Sequence, residues 1–338
     1  MDKLRVAVVG VGSIAQVVHL PILKKIEDVE VVAICDVDES KVTPLLDKFK
    51  VPRWYKQVDN LLKTEKLDIV HICTSNLYHY PMAYLALKKD MNVFLEKPIA
   101  LNATDAENLD KLARERNLQV LVGMHNRFRE DVQILKEFLA NDELGEIFYI
   151  KSGTLKKYSR NPYNTWQTNK SKAGGGVLID LGTQLIDLAM FLMNMPKIKS
   201  VRLFEYKINP KLEVEDSALA VIETQDGLSL TIETSWKMHM EKDIHYTHIF
   251  GNKGSAYLDP LRINKELHGN LVNVTPVTND NSAMRYKKAY EAEIRHFVNV
   301  VKGEEENKSS ATDAVRVMRI IDALYQSGKT RQQIELNE

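Results

Sequence analysis

Short runs of consecutive apolar residues alternate with amphipathic stretches through the first third of the chain. Leu4–Val9, Val29–Cys35, Asp68–Cys73, Asn92–Leu95 and Gln119–Gly123 read as strands, and Ile14–Ile26, Ser40–Lys48, Pro81–Lys89 and Thr104–Arg116 as helices between them. Unbroken apolar strands separated by helices imply a parallel sheet covered on both faces. After about Gly123 the rhythm changes. Asp131–Ala140 reads as a helix, Glu146–Lys157 as extended, and Val177–Met193 as a strongly apolar helix. Two longer alternating runs, Asp216–Thr224 and Leu228–Trp236, flank Asp226-Gly227, a good hairpin signal. Strands continue through about Tyr257, and helices near Tyr286–Val301 and Thr312–Gln326 finish the chain.

The expected fold is therefore α/β. A doubly wound parallel sheet of Rossmann type spans 1–123, and an α+β domain with an open, mainly antiparallel sheet spans 124–338, its last helices packing back on the first domain. A chain of 338 residues fits two domains. Lys plus Arg equals Asp plus Glu at 46 each, so bulk charge points to neither nucleic acid nor a membrane surface. Cys35 and Cys73 lie inside apolar strands, which suits buried thiols better than a disulfide framework or a zinc site, and no metal centre is expected. Met1-Asp2-Lys3 leads at once into a strand, and no apolar run reaches spanning length. The expected location is the cytoplasm, away from any membrane.

Three segments carry candidate chemistry. Gly10-Val11-Gly12-Ser13-Ile14-Ala15 follows a strand and opens a helix. Glycines there allow a tight turn and close approach of a pyrophosphate, and the helix start offers free N–H groups. Asp36 ends the second strand, where a carboxylate binds an adenosine ribose and repels a 2′-phosphate, favouring NAD over NADP. Glu96-Lys97-Pro98 lies at a strand C-terminus, where ligands bind in such sheets. Gly174-Gly175-Gly176 precedes a greasy helix on which Asp180, Gln184 and Asp187 share a face at i, i+4 and i+7. The glycines would let a ligand approach the helix start. A wet cleft suits Asp180 and Gln184, and a structural contact suits Asp187.

In order and spacing these segments resemble the Gfo/Idh/MocA oxidoreductases, which include inositol dehydrogenases and glucose–fructose oxidoreductase. The resemblance covers nearly the whole chain, with Thr74-Ser75-Asn76-Leu77-Tyr78-His79 and Gly175-Gly176-Val177-Leu178-Ile179-Asp180-Leu181-Gly182 among its carriers. It implies that Gly10, Gly12, Ser13 and Ile14 meet the pyrophosphate and Asp36 the ribose. Thr74, Asn76, His79, Glu96 and Lys97 would lie along the cofactor, His79 in a structural role, and His125, Asn126 and Arg127 would reach the nicotinamide end. Arg127, Tyr163 and Trp166 become candidate substrate contacts beside Lys97, Asp180 and Gln184, with a packing role the alternative for Tyr163 and Trp166. It also implies homodimers or homotetramers built on the open sheet.

One position departs from the family pattern. A histidine four residues after the helix aspartate is usual, and this chain has Gln184, which exchanges no proton near neutral pH. Lys97 then becomes the acid–base candidate, with Asp180 binding the substrate hydroxyl or steadying Lys97, and Gln184 only orienting; Tyr163 or His239 could replace the absent imidazole. The expected activity is hydride transfer between NAD and a secondary alcohol or carbonyl of a sugar, sugar derivative or cyclitol. Two alternatives stay open: a catalytically silent regulator that binds NAD and sugar, and an NAD-assisted glycoside hydrolase.

Overall fold

The computed structural model describes residues 3–158, 166–277 and 282–336. The chain divides into two compact units, one comprising 1–125 with 287–316 and the other 126–286 with 317–338.

In the first unit six parallel strands, β1 (Leu4–Val9), β2 (Val29–Cys35), β3 (Arg53–Tyr55), β4 (Ile69–Ile72), β5 (Asn92–Glu96) and β6 (Val120–Gly123), lie in the order β3-β2-β1-β4-β5-β6. The order reverses between β1 and β4, so the C-terminal ends of those two strands form the switch point at which such sheets bind ligands. β1, β4, β5 and β6 are buried almost throughout, as their unbroken apolar runs require. The short strand β3, Arg-Trp-Tyr, carries no apolar alternation and is an addition to the expected series. The helix Ser282–Lys302 begins in the second unit; its later residues belong with the first, where Phe297 packs edge-on against Phe94 of β5.

The second unit is built on a nine-stranded sheet. Its strands are β7 (Ile147–Lys157), β8 (Ile198–Tyr206), β9 (Ser217–Thr224), β10 (Ser229–Met238), β11 (Ile244–Gly251), β12 (Gly254–Leu258), β13 (Arg262–Leu267), β14 (Asn270–Asn273) and β15 (Ile334–Glu335). They run β14-β13-β12-β11-β7-β10-β9-β8-β15, all antiparallel except the β7–β10 pair. The Asp226-Gly227 turn joins β9 to β10 with Gly227 at φ +91, as the sequence predicts. Sequence pattern misses β8, whose period-2 alternation is broken by a register shift between Ile198 and Ser200. It also misses the polar β13–β14 hairpin. That turn, His268-Gly269, has both residues at positive φ, a two-residue geometry that Asn-Gly usually announces.

The buried helix Thr183–Leu192 is preceded by a π-helical turn, Leu178–Gly182. Among the described residues the stretch Lys170–Leu192 is long and apolar enough to cross a membrane, which corrects the expectation that no run reaches that length. It is a core helix: 78% of its apolar window is buried inside the protein.

Candidate functional site

In the first unit the glycine turn sits at the C-terminal end of β1. Gly10 has φ +85, and a Cβ there would stand 2.8 Å from the Cys73 carbonyl oxygen, so no other residue fits without displacing backbone. A Cβ on Gly12 would meet nothing within 4 Å. Gly12 and Ser13 are exposed, so the backbone of the turn is open to a ligand that approaches it closely. The helix behind the turn contains a second π-helical turn, Ala15–His19. Asp36 binds this loop directly: its Oδ2 accepts from Val11 N at 2.8 Å and its Oδ1 from Asp38 N at 3.0 Å. Each carboxylate oxygen keeps a lone pair for a ribose hydroxyl. Turn, helix start and strand-end acid together have the chemistry a dinucleotide needs, and the residues fit that group.

At the end of β4, Asn76 is buried and Thr74 half-buried. His79, 1% exposed, sets Nδ1 2.7 Å from the Pro98 carbonyl and Nε2 3.1 Å from the Thr74 carbonyl. Burial lowers its proton affinity against the pull of those two carbonyls. A neutral ring donates once, and the shorter contact makes Pro98 its acceptor. His79 therefore ties the loop after β4 to the loop after β5. The Glu96 carboxylate lies over Gly123 on β6, where a Cβ would approach it to 3.3 Å. Burial pushes the Glu96 carboxyl up, but the hydrogen bond from His19, with Lys97 and His125, holds it below its usual value. Lys97 is half-buried. His125 is 5% exposed and stacks on Tyr290 with 4.2 Å between ring centroids.

In the second unit Asp180 and Gln184 are both half-buried, while Asp187 is 1% exposed. Widening one turn by a residue swings Gln184 and Asp187 alike roughly 100° relative to Asp180. Asp187 is the one of the two that meets a buried partner, Arg127. Asp180 Oδ2 accepts from Trp236 Nε1 at 2.9 Å. Gln184 makes no side-chain hydrogen bond among the described residues. Trp236, buried on β10, was not singled out from sequence; a lone indole N–H in an apolar strand must find an acceptor, and that was the available signal.

Two expectations need correction. Arg127 was expected to reach substrate. Instead it is 2% exposed and grips Asp187 with both arms of the guanidinium, Nε to Oδ2 at 2.9 Å and an Nη to Oδ1 at 2.6 Å. A buried aspartate requires such a partner, and the pair leaves no exposed donor for a ligand. The glycines before the helix were expected to admit a ligand. A Cβ on Gly175 would stand 2.0 Å from the Tyr325 hydroxyl, and one on Gly176 2.0 Å from the Glu215 carbonyl oxygen. They admit protein: the Glu215 carboxylate and the Tyr325 hydroxyl accept N–H groups of Gly176, Leu178 and Ile179 that open the helix. Trp166 is half-buried in a turn, and Tyr163 lies outside the described residues. His239 stacks on Tyr158 at 5.1 Å between centroids.

Residues 4–124 match an oxidoreductase family described as an NAD-binding Rossmann fold, and residues 136–336 match the C-terminal alpha/beta domain of the same family. Among relatives, a D-glucoside 3-dehydrogenase of Escherichia coli (strain K12) is 30% identical, with 99% of this chain and 98% of that protein covered. A myo-inositol 2-dehydrogenase of Thermotoga maritima is 25% identical, with 99% of each chain covered. Among solved structures, GenD2 from gentamicin A biosynthesis, in complex with NAD, superposes with TM-score 0.86 at 24% identity, covering 100% of this chain and 97% of that one. An oxidoreductase domain protein from Kribbella flavida reaches 0.90 at 19% identity over the full length of both. The last two likenesses carry the fold alone.

Proposed function

The chain belongs to the Gfo/Idh/MocA oxidoreductase family, and from that premise we propose that it oxidises a secondary alcohol of a sugar, glycoside or cyclitol with NAD, or reduces the corresponding carbonyl with NADH. The observation that carries the cofactor half of the reading is Asp36, whose carboxylate is held by the phosphate-loop amide of Val11. Its charge disfavours the 2′-phosphate of NADP. Gly10, Gly12, Ser13, Ile14, Asp36, Thr74, Asn76, Glu96 and His125 are the residues proposed to hold NAD, with His79 as a tie between their loops. When bound, the nicotinamide supplies the hydride acceptor or donor.

The chain's own residues then bind, orient and handle the proton. Lys97 holds the proton that the substrate hydroxyl gives up on oxidation, or returns it on reduction. Asp180 accepts a hydrogen bond from a substrate hydroxyl, its other oxygen fixed by Trp236. Gln184, in place of the usual imidazole, orients the substrate through its amide and transfers no proton. Trp166 and Tyr163 are proposed as flanking substrate contacts. The relatives named above support a sugar or cyclitol substrate. The open sheet face supports a homodimer or homotetramer, since Tyr149 and Phe250 stack there at 5.8 Å with His248 and Tyr257 edge-on beside them. Two buried free thiols suit the reducing cytoplasm.

The test is a panel of glycosides, free sugars and inositols, followed at the NADH absorbance, with Lys97→Ala as control. Turnover abolished in Lys97→Ala supports the reading. Sugar binding without turnover would mark a regulator instead, and aglycone release without net NADH a redox-assisted hydrolase.

A further inference from the structure

Behind Glu96 the first unit carries two buried imidazoles that the proposed reaction leaves without a task. His19, on the helix after the glycine turn, sets Nε2 2.8 Å from Glu96 Oε1 and Nδ1 2.9 Å from His71 Nδ1. Both rings are 0% exposed. His71, on β4, stacks on Phe94 at 4.7 Å and 7°, and Phe297 stands edge-on to it at 6.4 Å. His71 Nε2 has no hydrogen-bond partner among the described residues.

These contacts favour one placement of the protons. The Glu96 carboxylate only accepts, so His19 donates from Nε2. A neutral His19 then accepts at Nδ1, and His71 must donate from its own Nδ1. The unpartnered His71 Nε2 is left as a bare lone pair against aromatic carbon. The other arrangement makes His19 doubly protonated and moves the His71 proton to Nε2. That would bury an N–H with nothing to donate to, the rarer and costlier defect. Burial holds His71 well below the usual imidazole range, so His71 takes no second proton.

We propose that His19 is a positioning residue of the hydride-transfer site: with His71 fixing its tautomer, it holds Glu96 as an oriented carboxylate beside Lys97. The inference rests on the catalytic reading of Lys97 given above. The charged and titratable groups facing Glu96 are His19 from the helix, Lys97 next in sequence, His125 after β6, Cys73 after β4 and His79 from the following helix. Of these, His19 donates a side-chain hydrogen bond to the carboxylate at 2.8 Å. Without that donor, burial works with less opposition and Glu96 takes a proton nearer neutral pH. Loss of one charge-assisted hydrogen bond corresponds to an upward displacement of about 1–2 pH units.

Two measurements on the full-length protein decide it. Long-range proton–nitrogen NMR of histidine-labelled protein, with the His71 signals assigned by their loss in His71→Phe, should show a proton on Nε2 of His19 and on Nδ1 of His71 from pH 6 to 8. A His71 proton on Nε2, or a doubly protonated His19 near pH 7, overturns the proposal. In kinetics with a substrate from the panel, His19→Leu should lower kcat and move the acid limb of its pH profile up by about 1–2 units, with KM changing less. His19→Gln, which can donate to Glu96 and accept from His71, should recover most of the loss. An acid limb unmoved in His19→Leu, or no recovery in His19→Gln, also overturns it. If the unmodified protein turns over no substrate, the proposed function fails, and the tautomers alone decide the inference. A His19→Leu chain that does not fold leaves the NMR and the glutamine variant to decide.

Discussion

Arg127 and Asp187 put a number on the difference between a ligand-binding arginine and a structural one. The two side chains are 2% and 1% exposed and meet through two parallel hydrogen bonds, with the guanidinium carbon 5.1 Å from the centre of the Phe191 ring. Desolvation offsets most of the attraction, so the pair adds little net stability, yet removing one partner strands the other's charge. Arg127→Met should therefore destabilise the protein by about 3–5 kcal/mol. For a unit of roughly 180 residues that lowers Tm by about 6–20 °C. Asp187→Leu should cost a similar amount. The double variant, with both charges replaced by apolar side chains of similar volume, should fall within about 1 kcal/mol of the parent or above it. Urea unfolding followed by far-ultraviolet circular dichroism measures all three, and the double variant should keep the parent's KM. Singles that lose less than about 1 kcal/mol, or a double whose loss equals the sum of the singles, would refute the buried-pair argument. A double that folds well but loses substrate affinity would return Arg127 to the substrate site.

Three further outcomes follow from individual contacts in the two units. Trp236→Phe removes the Nε1 donor from Asp180 and should lower kcat/KM by about 10- to 100-fold, read in steady-state assays; an unchanged value means Asp180 needs no fixed oxygen. Asp36→Ala should weaken NAD binding by about 10- to 100-fold and narrow the margin over NADP, measured by calorimetry, whereas unchanged discrimination would remove Asp36 from the ribose site. For Glu65, burial raises the carboxyl, but Tyr55 and Arg53, with Arg5, overcome it and hold it below its usual value. A carboxyl lowered in the folded state contributes stability that is present above its unfolded value, about 4.3, and lost as pH falls through its folded one. Glu65→Gln should therefore be less stable than the parent at pH 7, with the gap closing as pH falls below that value. A gap that persists undiminished in acid contradicts the assignment.

How much of this was legible in the sequence depends on whether a signal is local. The parallel strands of the first unit, the glycine turn with Asp36 and the Asp226-Gly227 hairpin are written in residues close along the chain, each with a period or turn chemistry of its own. β3 is too short and β8 too interrupted to show a period. The partners of His19 and His71 lie 77 and 52 residues away across the sheet, so sequence offered only the anomaly of an imidazole in an apolar run. The two π turns, Ala15–His19 and Leu178–Gly182, are the deeper reason that spacing alone fell short. Each widens its helix by one residue, so an i, i+4, i+7 stripe ceases to be one face. The first turn contains His19, bonded to Glu96, and the second contains Asp180, bonded to Trp236, with Asp187 beyond it in its buried pair. A π turn gives up regular backbone hydrogen bonding and persists only where the side chains it redirects make up the difference. Its presence at two of the three segments that carry the candidate chemistry is therefore an argument from cost that His19 and Asp180 are held where they are for a purpose.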